Sequence, residues 1–402
     1  MPEVCVIGLG YIGLPTAVVL ASSRYQVYGV DIKPDVISSI NSAKSHFFEP
    51  GLDSLLVSAV TSGQLIATDH PRSADIFVIS VPTPIVHHDG ALPSPDVSLV
   101  TSAIISIAPY VRAGSLILIE STCPIGTTRT MSQVICNHTN LASTDFLMAY
   151  CPERVLPGNI LNELRTNDRI VGGLTPDSAI AACDFYRSFC NGNIHSTRAE
   201  VAETVKLVEN SYRDVSIAFA NEISMLCGEL DVSTSEVVKL ANYHPRVNIL
   251  NPGCGVGGHC IAVDPWFLVD SSPNFTPLIQ TARQVNNNKS SWVVSRVLDQ
   301  VSKLTDQLSR PITVGCFGLS FKPDVDDLRE SPALSIATSL ISSGLNILVC
   351  DPYVKSHSSI KLQSVDNVLD SSDLIVLLVA HSQFSHFDLS GKQVLDFCSL
   401  TS

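Results

Sequence analysis

The chain has 402 residues, 45% of them hydrophobic and 16% charged, and it carries a formal net charge of −13 at pH 7. This composition predicts a globular α/β protein of two or three domains, and the acidic balance argues against binding to nucleic acid. No apolar run is long enough to cross a membrane, and the twelve cysteines include no Cys-x-x-Cys pair. We therefore expect a cytoplasmic protein without a membrane anchor and with reduced thiols.

The first part of the chain alternates short apolar runs with helical segments. The predicted strands are 4–7, 27–31, 76–80, 116–120 and 145–149, and a helix is predicted at 14–23. These runs show no polar–apolar alternation, which is typical of parallel strands that are buried on both faces. The pattern predicts a doubly wound α/β domain.

The pattern changes in the middle of the chain and then returns. One uninterrupted helix is predicted from 199 to 230 and a second from 277 to about 304, and paired long helices of this kind often form a dimer interface. Beyond Pro311 the predicted strands are 313–318, 346–350, 374–379 and 393–396, with a helix at 333–343. The predicted fold is α/β, with two Rossmann-like, doubly wound domains joined by a central helical connector. The predicted domains are 1–198, 199–305 and 306–402.

A dinucleotide fingerprint follows the first predicted strand. Gly8-Leu9-Gly10-Tyr11-Ile12-Gly13 opens a helix, and Asp31 ends the next strand. In such a turn the glycines allow a tight bend, close approach of the pyrophosphate and close packing of helix on strand. Asp31 is placed to accept hydrogen bonds from the adenosine ribose, which favours NAD over NADP. The alternative is a glycine turn that binds nothing.

Two further turns come directly after predicted strands. Thr83 lies in Val81-Pro82-Thr83-Pro84, and Thr122 lies in Glu120-Ser121-Thr122-Cys123-Pro124. The carboxyl ends of parallel strands face the ligand crevice, so both hydroxyls are candidates to donate hydrogen bonds to the cofactor. Turn or capping chemistry is the alternative explanation for such Ser/Thr-Pro runs.

The first long helix carries a polar stripe. Lys206, Asn210 and Arg213 are spaced at i, i+4 and i+7, so they share one side of the helix, with Glu203 and Glu209 beside them. A solvated charged face is the alternative. As part of a site, Lys206 would stabilise a developing alkoxide or act as a base.

The run 252–265 contains Gly253, Gly255, Gly257 and Gly258, followed by Cys260 and then Asp264. Glycines let the backbone approach a ligand closely, and a cysteine beside an NAD site is a candidate covalent nucleophile. A thiol that traps an aldehyde as a thiohemiacetal allows a second hydride to leave, which takes an alcohol to an acid. A buried structural cysteine is the alternative. The spacing of Cys254, His259 and Cys260 does not fit a zinc site, and we predict no metal.

Basic residues occur beyond the loop and before it. Lys322 and Arg329 lie in the charged run 321–332, where they suit phosphate binding, although such runs are also found at solvated helix starts. Arg246 similarly lies before the cysteine loop, in the run 243–248.

Nearly end to end, the chain resembles the UDP-glucose/GDP-mannose dehydrogenase family. The resemblance rests on Gly8, Gly10 and Gly13 with Asp31, on the turns at 81–83 and 121–122, on Lys206 and Asn210, and on the runs 257–260 and 321–331. Within the family, the runs 150–158, 167–173, 244–250 and 259–267 are most similar to bacterial members that oxidise UDP-N-acetyl-D-mannosamine. Glucose-type members carry Phe-Leu after the Pro-Glu pair and a second Glu four residues on, where this chain has Arg154 and Pro157.

The resemblance also implies residue roles. Cys260 would be the nucleophile, Lys206 the general acid/base or oxyanion stabiliser, and Glu153 and Asp264 would assist water. The residues implied to contact the sugar nucleotide are Arg154, Val155, Lys206, Asn210, Arg213, His244, Arg246, Gly257 and Lys322. The residues implied to hold NAD are Gly8, Gly10, Tyr11, Ile12, Gly13, Asp31, Thr83, Thr122 and Arg329. The partner would be a second copy of the chain, with Arg246 reaching the neighbouring subunit's site.

The expected activity is four-electron, NAD-dependent oxidation of C6 of UDP-N-acetyl-D-mannosamine to the uronate through a Cys260 thiohemiacetal and thioester. One alternative is a UDP-N-acetylglucosamine or UDP-glucose 6-dehydrogenase. Another is a two-electron hydroxyacid dehydrogenase, which would release one NADH per substrate and would not need Cys260. A non-enzymatic NAD-sensing or scaffold protein is the remaining alternative.

Overall fold

The structure, a computed structural model, describes residues 1–88, 90 and 92–400. Its described residues divide into two compact units. The first unit comprises Met1–Val208 and Trp266–Ser271, and the second comprises Glu209–Pro265 and Ser272–Ser402. The predicted division into 1–198, 199–305 and 306–402 stays a prediction.

The first unit is built on a large sheet. Its strands are β1 Glu3–Ile7, β2 Gln26–Val30, β3 Leu65–Thr68, β4 Ile76–Ile79, β5 Ile85–Val86, β6 Ser94–Pro95, β7 Leu116–Ile119, β8 Leu147–Tyr150, β9 Arg169–Gly173 and β10 Ile194–Arg198. Eight of them form one sheet in the order β10-β9-β8-β7-β4-β1-β2-β3, while β5 and β6 pair as a separate antiparallel ribbon. Neighbours in the large sheet are parallel except β8 and β9.

Helices connect these strands. They are α1 Gly13–Ser22, α2 Pro34–Asn41, α3 Leu52–Thr61, α4 Ser98–Ile107, α5 Thr127–His138, α6 Ile160–Thr166 and α7 Pro176–Arg187, with a 3₁₀ turn at Ala108–Tyr110. The strand order reverses between β1 and β4, and in sheets of this type the ligand crevice lies at such a reversal. Strand β1 is buried on both faces, because Val4 and Val6 belong to one core cluster and Cys5 and Ile7 to another. This explains why its sequence shows no alternation.

The second unit joins helices to a smaller sheet. Helix α8 Ala199–Leu230 has residues in both units, and so has α10 Asp264–Ser271, whose residues from Trp266 onward belong to the first unit. The other helices of the second unit are α9 Thr234–Ala241, α11 Pro277–Leu308, α12 Pro332–Ser342 and α13 Val365–Ser371, with 3₁₀ turns at Pro273–Phe275 and Ser382–His386. The strands are β11 Thr313–Phe317, β12 Asn346–Cys350, β13 Leu374–Leu377 and β14 Gln393–Asp396. They form a parallel sheet in the order β12-β11-β13-β14.

The predicted α/β fold, with two Rossmann-like domains and a helical middle, is confirmed, and the large sheet is parallel except at the β8–β9 pair. Helix α8 has the predicted bounds, and α11 extends four residues beyond the predicted end, to Leu308. Strands β3, β9 and β10 were not predicted. Strand β10 is polar and half exposed at the sheet edge, so it lacks the apolar run that marked the central strands. None of the helices in the described residues is long and apolar enough to cross a membrane.

Candidate active site

The turn after β1 depends on glycine at two positions. Gly8 has φ +92°, and a Cβ there would lie 2.6 Å from the carbonyl oxygen of Ser80. A Cβ on Gly13 would lie 1.8 Å from the carbonyl oxygen of Gly8. Gly10 instead faces open space, with nothing within 4 Å of a Cβ among the described residues. The structure therefore has a cradle beside the first turn of α1, and the site fits a pyrophosphate.

Asp31 is held against this turn. Its Oδ2 accepts a hydrogen bond from Leu9 N at 3.0 Å, and its Oδ1 accepts one from Lys33 N at 2.9 Å. The carboxylate thus lies at the carboxyl end of β2, beside the glycines, as a ribose ligand requires. Tyr11, on the same turn, stacks on Phe47 with ring centroids 4.3 Å apart.

The turns that carry Thr83 and Thr122 are joined to each other. The Ser121 hydroxyl donates to the carbonyl oxygen of Val81 at 2.7 Å, which links the loop after β7 to the loop after β4. Both threonines are half-buried at the carboxyl ends of neighbouring strands. The geometry is compatible with the predicted cofactor contacts, which remain predictions.

Glu203 is not part of a solvated face, contrary to the alternative considered for this helix. It is fully buried, and its carboxylate accepts hydrogen bonds from Gly126 N at 2.6 Å, from Thr128 N at 2.8 Å and from the Thr128 hydroxyl at 2.6 Å. Burial raises the pKa of this carboxyl, and the three hydrogen bonds oppose that shift. Glu203 therefore fixes α8 to the N-terminus of α5, one turn before Lys206.

Lys206 and Glu153 lie together in the first unit. The Lys206 ammonium donates to the main-chain carbonyl oxygen of Glu153 at 3.0 Å. The Glu153 carboxylate is held separately: both terminal nitrogens of Arg169 donate to its Oε2 at 3.2 Å, and Arg154 N donates to its Oε1 at 2.7 Å. No role was predicted for Arg169. It begins the short strand β9, and its partner precedes it by sixteen residues, beyond the reach of any periodic signal.

The side chains of Arg154 and Val155 have different surroundings. The Arg154 guanidinium donates to the carbonyl oxygen of Asp168. Val155 is half-buried and packs against one core cluster of the first unit. Both were predicted to contact the sugar nucleotide, and both predictions remain open.

Cys260, Asp264 and Asn210 are brought together in the second unit. Asp264 N donates to the carbonyl oxygen of Cys260 at 2.8 Å, so a single turn of chain separates Cys260 from Asp264, the first residue of α10. Asn210 Nδ2 donates to Asp264 Oδ2 at 2.5 Å. Asn210 and Asp264 are buried, whereas Cys260 is half-buried. Asn210 on α8 thus orients the carboxylate that follows the candidate nucleophile.

The other cysteine of this loop is structural. Cys254 is buried, its thiol donates to the carbonyl oxygen of Leu378 at 3.3 Å, and its own carbonyl accepts from the Ser290 hydroxyl at 2.9 Å. Burial raises the pKa of the Cys254 thiol to about 12. The alternative of a structural cysteine therefore applies to Cys254.

The glycines of this loop are required by the chain itself. A Cβ on Gly257 would lie 2.5 Å from the carbonyl oxygen of Glu330, and one on Gly258 would lie 2.9 Å from the Phe321 ring. Gly258 also has φ +77°, and its N–H donates to the carbonyl oxygen of Arg329 at 3.1 Å. The crowding that we attributed to a ligand is at these positions produced by the segment 321–330.

A buried polar network, which was not predicted, fixes the start of the loop. Gly253 N donates to Asn221 Oδ1 at 2.9 Å, and Asn221 Nδ2 donates to Asn286 Oδ1 at 2.9 Å. Asn286 and Arg283 in turn donate to the buried Asp214 carboxylate at 2.8 and 2.6 Å. The signal in the sequence was Asp214 and Asn221, polar residues seven apart on a long helix.

The remaining predicted site residues are half-buried or exposed. The Arg329 guanidinium pairs with Asp327, with a shortest N–O distance of 2.6 Å, and Lys322 Nζ lies 5.7 Å from the Phe321 ring centroid. Arg213, His244 and Arg246 are exposed on the described chain. The described residues contain no group of three His, Cys, Asp or Glu side chains arranged to hold a metal ion.

Comparison with known proteins decides the family. The chain matches three domains of the UDP-glucose/GDP-mannose dehydrogenase family: the NAD binding domain over residues 2–190, the central domain over 200–288 and the UDP binding domain over 315–399. The chain belongs to this family. The protein is thus an NAD-dependent dehydrogenase, and the open turn at Gly10 beside Asp31 is compatible with the predicted cofactor contacts, which remain predictions.

Individual relatives within this dehydrogenase family are similar along almost the whole chain. The UDP-N-acetyl-D-mannosamine dehydrogenase of Campylobacter jejuni is 46% identical over 98% of this chain and 99% of that protein. The NDP-N-acetyl-D-galactosaminuronic acid dehydrogenase of Ralstonia solanacearum is 45% identical over 98% of this chain and 95% of that protein. The solved structure of UDP-D-ManNAc dehydrogenase from Pyrococcus horikoshii has a TM-score of 0.91 and 38% identity, covering 100% of this chain and 96% of that one.

Proposed function

We propose that the protein oxidises C6 of UDP-N-acetyl-D-mannosamine to the carboxylate, using two NAD and one water. The observation that carries the proposal is the half-buried Cys260, placed one turn of chain before α10, whose first residue, Asp264, is held by Asn210. A thiol at this position can hold the aldehyde covalently, which lets an NAD enzyme remove a second hydride. Relatives named for N-acetylated sugars support the acetamido group of the substrate.

The reaction divides into two oxidations and one hydrolysis. NAD, when bound, accepts one hydride in each oxidation. In the first, Lys206 takes the proton of the C6 hydroxyl or stabilises the alkoxide, while its own position is held by the Glu153 carbonyl. The Cys260 thiolate then adds to the aldehyde carbon, and loss of the second hydride from this adduct leaves a thioester.

Hydrolysis of the thioester completes the reaction. Water adds to the thioester carbon, the carbon–sulfur bond breaks, and the Cys260 thiol and the uronate are released. Asp264 assists this water, and Asn210 keeps its carboxylate in one orientation. Glu153, whose carboxylate is held by Arg169 and by Arg154 N, assists the same water. The residues proposed to hold the nucleotide sugar are Arg154, Val155, Asn210, Arg213, His244, Arg246, Gly257 and Lys322.

Cys260→Ala tests this function directly, with Cys136→Ala as the control because Cys136 is another half-buried cysteine. The wild-type enzyme and the control are expected to form two NADH per molecule of UDP-sugar, measured as an endpoint with limiting substrate. Cys260→Ala is expected to bind NAD normally and to form no uronate. Full uronate formation by Cys260→Ala would overturn the assignment, and one NADH per substrate in the wild type would indicate a two-electron dehydrogenase.

The sugar is tested with a panel of nucleotide sugars. The highest kcat/KM is expected with UDP-N-acetyl-D-mannosamine. The similarity to the Ralstonia relative makes a galacto-configured N-acetyl sugar the second candidate, since that relative is named for N-acetyl-D-galactosaminuronic acid. A preference for UDP-glucose would reject the role proposed for the acetamido group. A protein that binds NAD but oxidises none of these substrates would be a sensor or scaffold.

We further propose a homodimer in which Arg246 reaches the partner's site. Its support is an exposed apolar stripe on α8 in the second unit: Tyr212, Phe219, Leu226 and Leu230 are 73%, 53%, 52% and 62% exposed. Apolar side chains aligned on one helix in this way mark an interaction surface. Residues 242–248, which include Arg246, are also exposed throughout.

Mixing two inactive variants tests this arrangement. Arg246→Ala and Cys260→Ala are each expected to be inactive. After exchange of subunits, hybrid dimers would regain one intact site, so about a quarter of wild-type activity should return. If no activity returns although native mass spectrometry shows hybrid dimers, Arg246 acts within its own subunit.

We also propose the domain roles and the location. Residues 1–198 would bind NAD, 199–305 would supply the catalytic loop and the dimer interface, and 306–402 would bind the UDP moiety; the three family matches support this division. Nine of the twelve cysteines are buried, and the mechanism needs a reduced Cys260. Both points favour a cytoplasmic enzyme.

A further inference from the structure

Three buried polar residues of the first unit have no role in the mechanism so far. Glu120 follows β7 and is 4% exposed, Arg169 begins β9 and is 4% exposed, and Tyr186 on α7 is fully buried. Burying two ionisable groups and a phenol is unfavourable unless each is paired. Such a cluster beside a catalytic carboxylate is therefore a candidate for function.

Direct contacts connect these residues in series, from Glu120 to Lys206. The Tyr186 hydroxyl donates to Glu120 Oε1 at 2.9 Å, and the Arg169 guanidinium lies over the Tyr186 ring, 4.7 Å from its centroid. Arg169 then donates through both terminal nitrogens to Glu153 Oε2 at 3.2 Å. The Glu153 carbonyl accepts from Lys206. Each link is a direct contact within the first unit.

The neighbours of Glu120 determine its charge. Burial and the negative charge of Glu153 raise the pKa of Glu120 to about 7, while the positive charge of Arg169 and the hydrogen bonds from Tyr186 and Ser80 oppose the rise. The Cys151 thiol lies 3.8 Å from Arg169, and burial raises its pKa to about 12, so it stays protonated. Glu120 is thus the group of this cluster that changes charge near neutral pH.

We propose that Glu120, Tyr186 and Arg169 are positioning residues that hold Glu153 and, through its main-chain carbonyl, Lys206. The inference rests on the proposed function, because it concerns the groups assigned to proton transfer there. When Glu120 is protonated, the guanidinium of Arg169 pairs with Glu153 alone. When Glu120 is ionised, a second carboxylate attracts the same guanidinium, and the hold on Glu153 weakens. Turnover should therefore fall as pH rises through the titration of Glu120.

Glu120→Gln is the first test. The amide accepts from Tyr186 and pairs with the Ser80 hydroxyl, but it cannot titrate. With NADH formation measured from about pH 5.5 to about pH 9, we expect the wild-type kcat to show an inflection near pH 7, since kcat reports groups of the bound complex. The variant should lack this inflection and keep the KM for the nucleotide sugar. Persistence of the inflection in Glu120→Gln would overturn the proposal.

Tyr186→Phe tests the link between Glu120 and Arg169. Loss of the phenol removes a hydrogen bond that favours the ionised carboxyl, so the inflection should move to higher pH. A purely structural tyrosine would lower activity without moving the inflection. An inflection that stays in place in this variant contradicts the proposal.

Arg169→Lys tests the two hydrogen bonds that Arg169 donates to the Glu153 carboxylate. Lysine keeps the charge but cannot donate through two parallel N–H groups, so kcat should fall about ten- to a hundredfold with little change in KM. Arg187→Lys is the matched control, because Arg187 is on the same helix as Tyr186 but is exposed and paired with Asp184. Wild-type kcat in Arg169→Lys rejects the proposal. The proposed function fails separately, if the wild-type enzyme oxidises no UDP-sugar.

Discussion

The first turn of each sheet is built from the same parts. Strand β1 is followed directly by Gly8 with φ +92°, and strand β11 is followed directly by Gly318 with φ +93°. A completely buried leucine follows in each, Leu9 in the first unit and Leu319 in the second. In both units, therefore, the first strand is followed by a glycine with positive φ and then by a buried leucine.

Each turn is also tied to an aspartate after the second strand. Asp31 Oδ2 accepts from Leu9 N at 3.0 Å, and Asp351 Oδ2 accepts from Leu319 N at 2.7 Å. The carboxylate in both units therefore closes the turn, in addition to any contact with a ligand.

The space around the two aspartates differs. Asp351 is 8% exposed and accepts further hydrogen bonds from Ser320 N, Tyr353 N and Val354 N, and the fully buried His381 lies 3.1 Å away. In the first unit, Gly10 faces open space and α1 begins at once with Gly13. The second helix, α12, begins only at Pro332, after the segment that packs on the cysteine loop.

The difference teaches that a glycine turn with an acidic partner does not by itself make a dinucleotide site. In the first unit a Cβ on Gly10 would meet open space where the pyrophosphate is expected, whereas the matching position of the second unit is the buried Ser320, whose hydroxyl lies 3.4 Å from His381 Nε2. The same framework is thus used once for NAD and once to support a different nucleotide site.

The largest expected effect is that of Gly13→Ala. Because the new Cβ would lie 1.8 Å from the Gly8 carbonyl oxygen, the turn must open. We expect a loss of more than about 3 kcal/mol in the free energy of unfolding of the first unit and loss of NAD binding. Denaturant unfolding and NAD titration calorimetry measure both. A variant with wild-type stability would mean that the turn is not packed as described.

The stability of the two units should depend on pH with opposite signs, through Glu120 in the first unit and through Asp351 in the second. The pKa of Glu120 is raised from 4.5 to about 7, so its contribution to stability is complete below about pH 4.5 and is lost as pH rises through 7. The loss is up to about 3 kcal/mol, and Glu120→Gln should abolish it.

Burial disfavours ionisation of Asp351, but hydrogen bonds from His381 and from main-chain N–H groups hold its pKa below 3.8. Its contribution is therefore present above pH 3.8 and is lost as pH falls through the lowered pKa. Asp351→Asn should abolish this loss. Unfolding of variant and wild type across the pH range, followed by hydrogen exchange in each unit, checks both signs, and equal signs would contradict the comparison.

Asp351→Asn and Asp31→Asn should separate stability from ligand binding. Because Asp351 is buried, Asp351→Asn is expected to lower the free energy of unfolding by about 2 kcal/mol, while the affinity for NAD is unchanged. Asp31→Asn should keep most of its stability, lose about tenfold in affinity for NAD and discriminate less against NADP. Calorimetric titration with both cofactors makes the measurement. Weaker NAD binding in Asp351→Asn alone would reverse the assignment of the two aspartates.

Gly10→Ala should have the smallest effect on folding. Since its Cβ meets open space, stability is expected to change by less than about 0.5 kcal/mol. The methyl group would enter the cradle, so NAD affinity should fall about tenfold. Unchanged affinity would show that the cofactor does not approach this glycine.

Periodicity and local motifs were sufficient for much of the local structure around the candidate site, whose residue roles remain predictions. The bounds of α8, the turn of Gly8 and Gly13, the position of Asp31 and the Cys260 loop were all predicted, because helical spacing and glycine turns are written within a few consecutive residues. The family and the NAD cofactor are confirmed.

What was missed depends on contacts between distant segments. Glu203 has the spacing of a surface charge on a helix, but it caps a helix that begins 76 residues earlier, at Thr127. Arg169 resembles any polar residue at the start of a strand, and only the fold places it between Tyr186 and Glu153.

The amino-acid sequence alone determined the class of the protein, its cofactor and its candidate nucleophile, because those features are carried by short runs whose backbone geometry is local. Only the tertiary structure decided how closely other segments pack on each of the two turns, and which charged side chains are buried. Available space and burial are set by segments far apart in the chain, so no local pattern reports them.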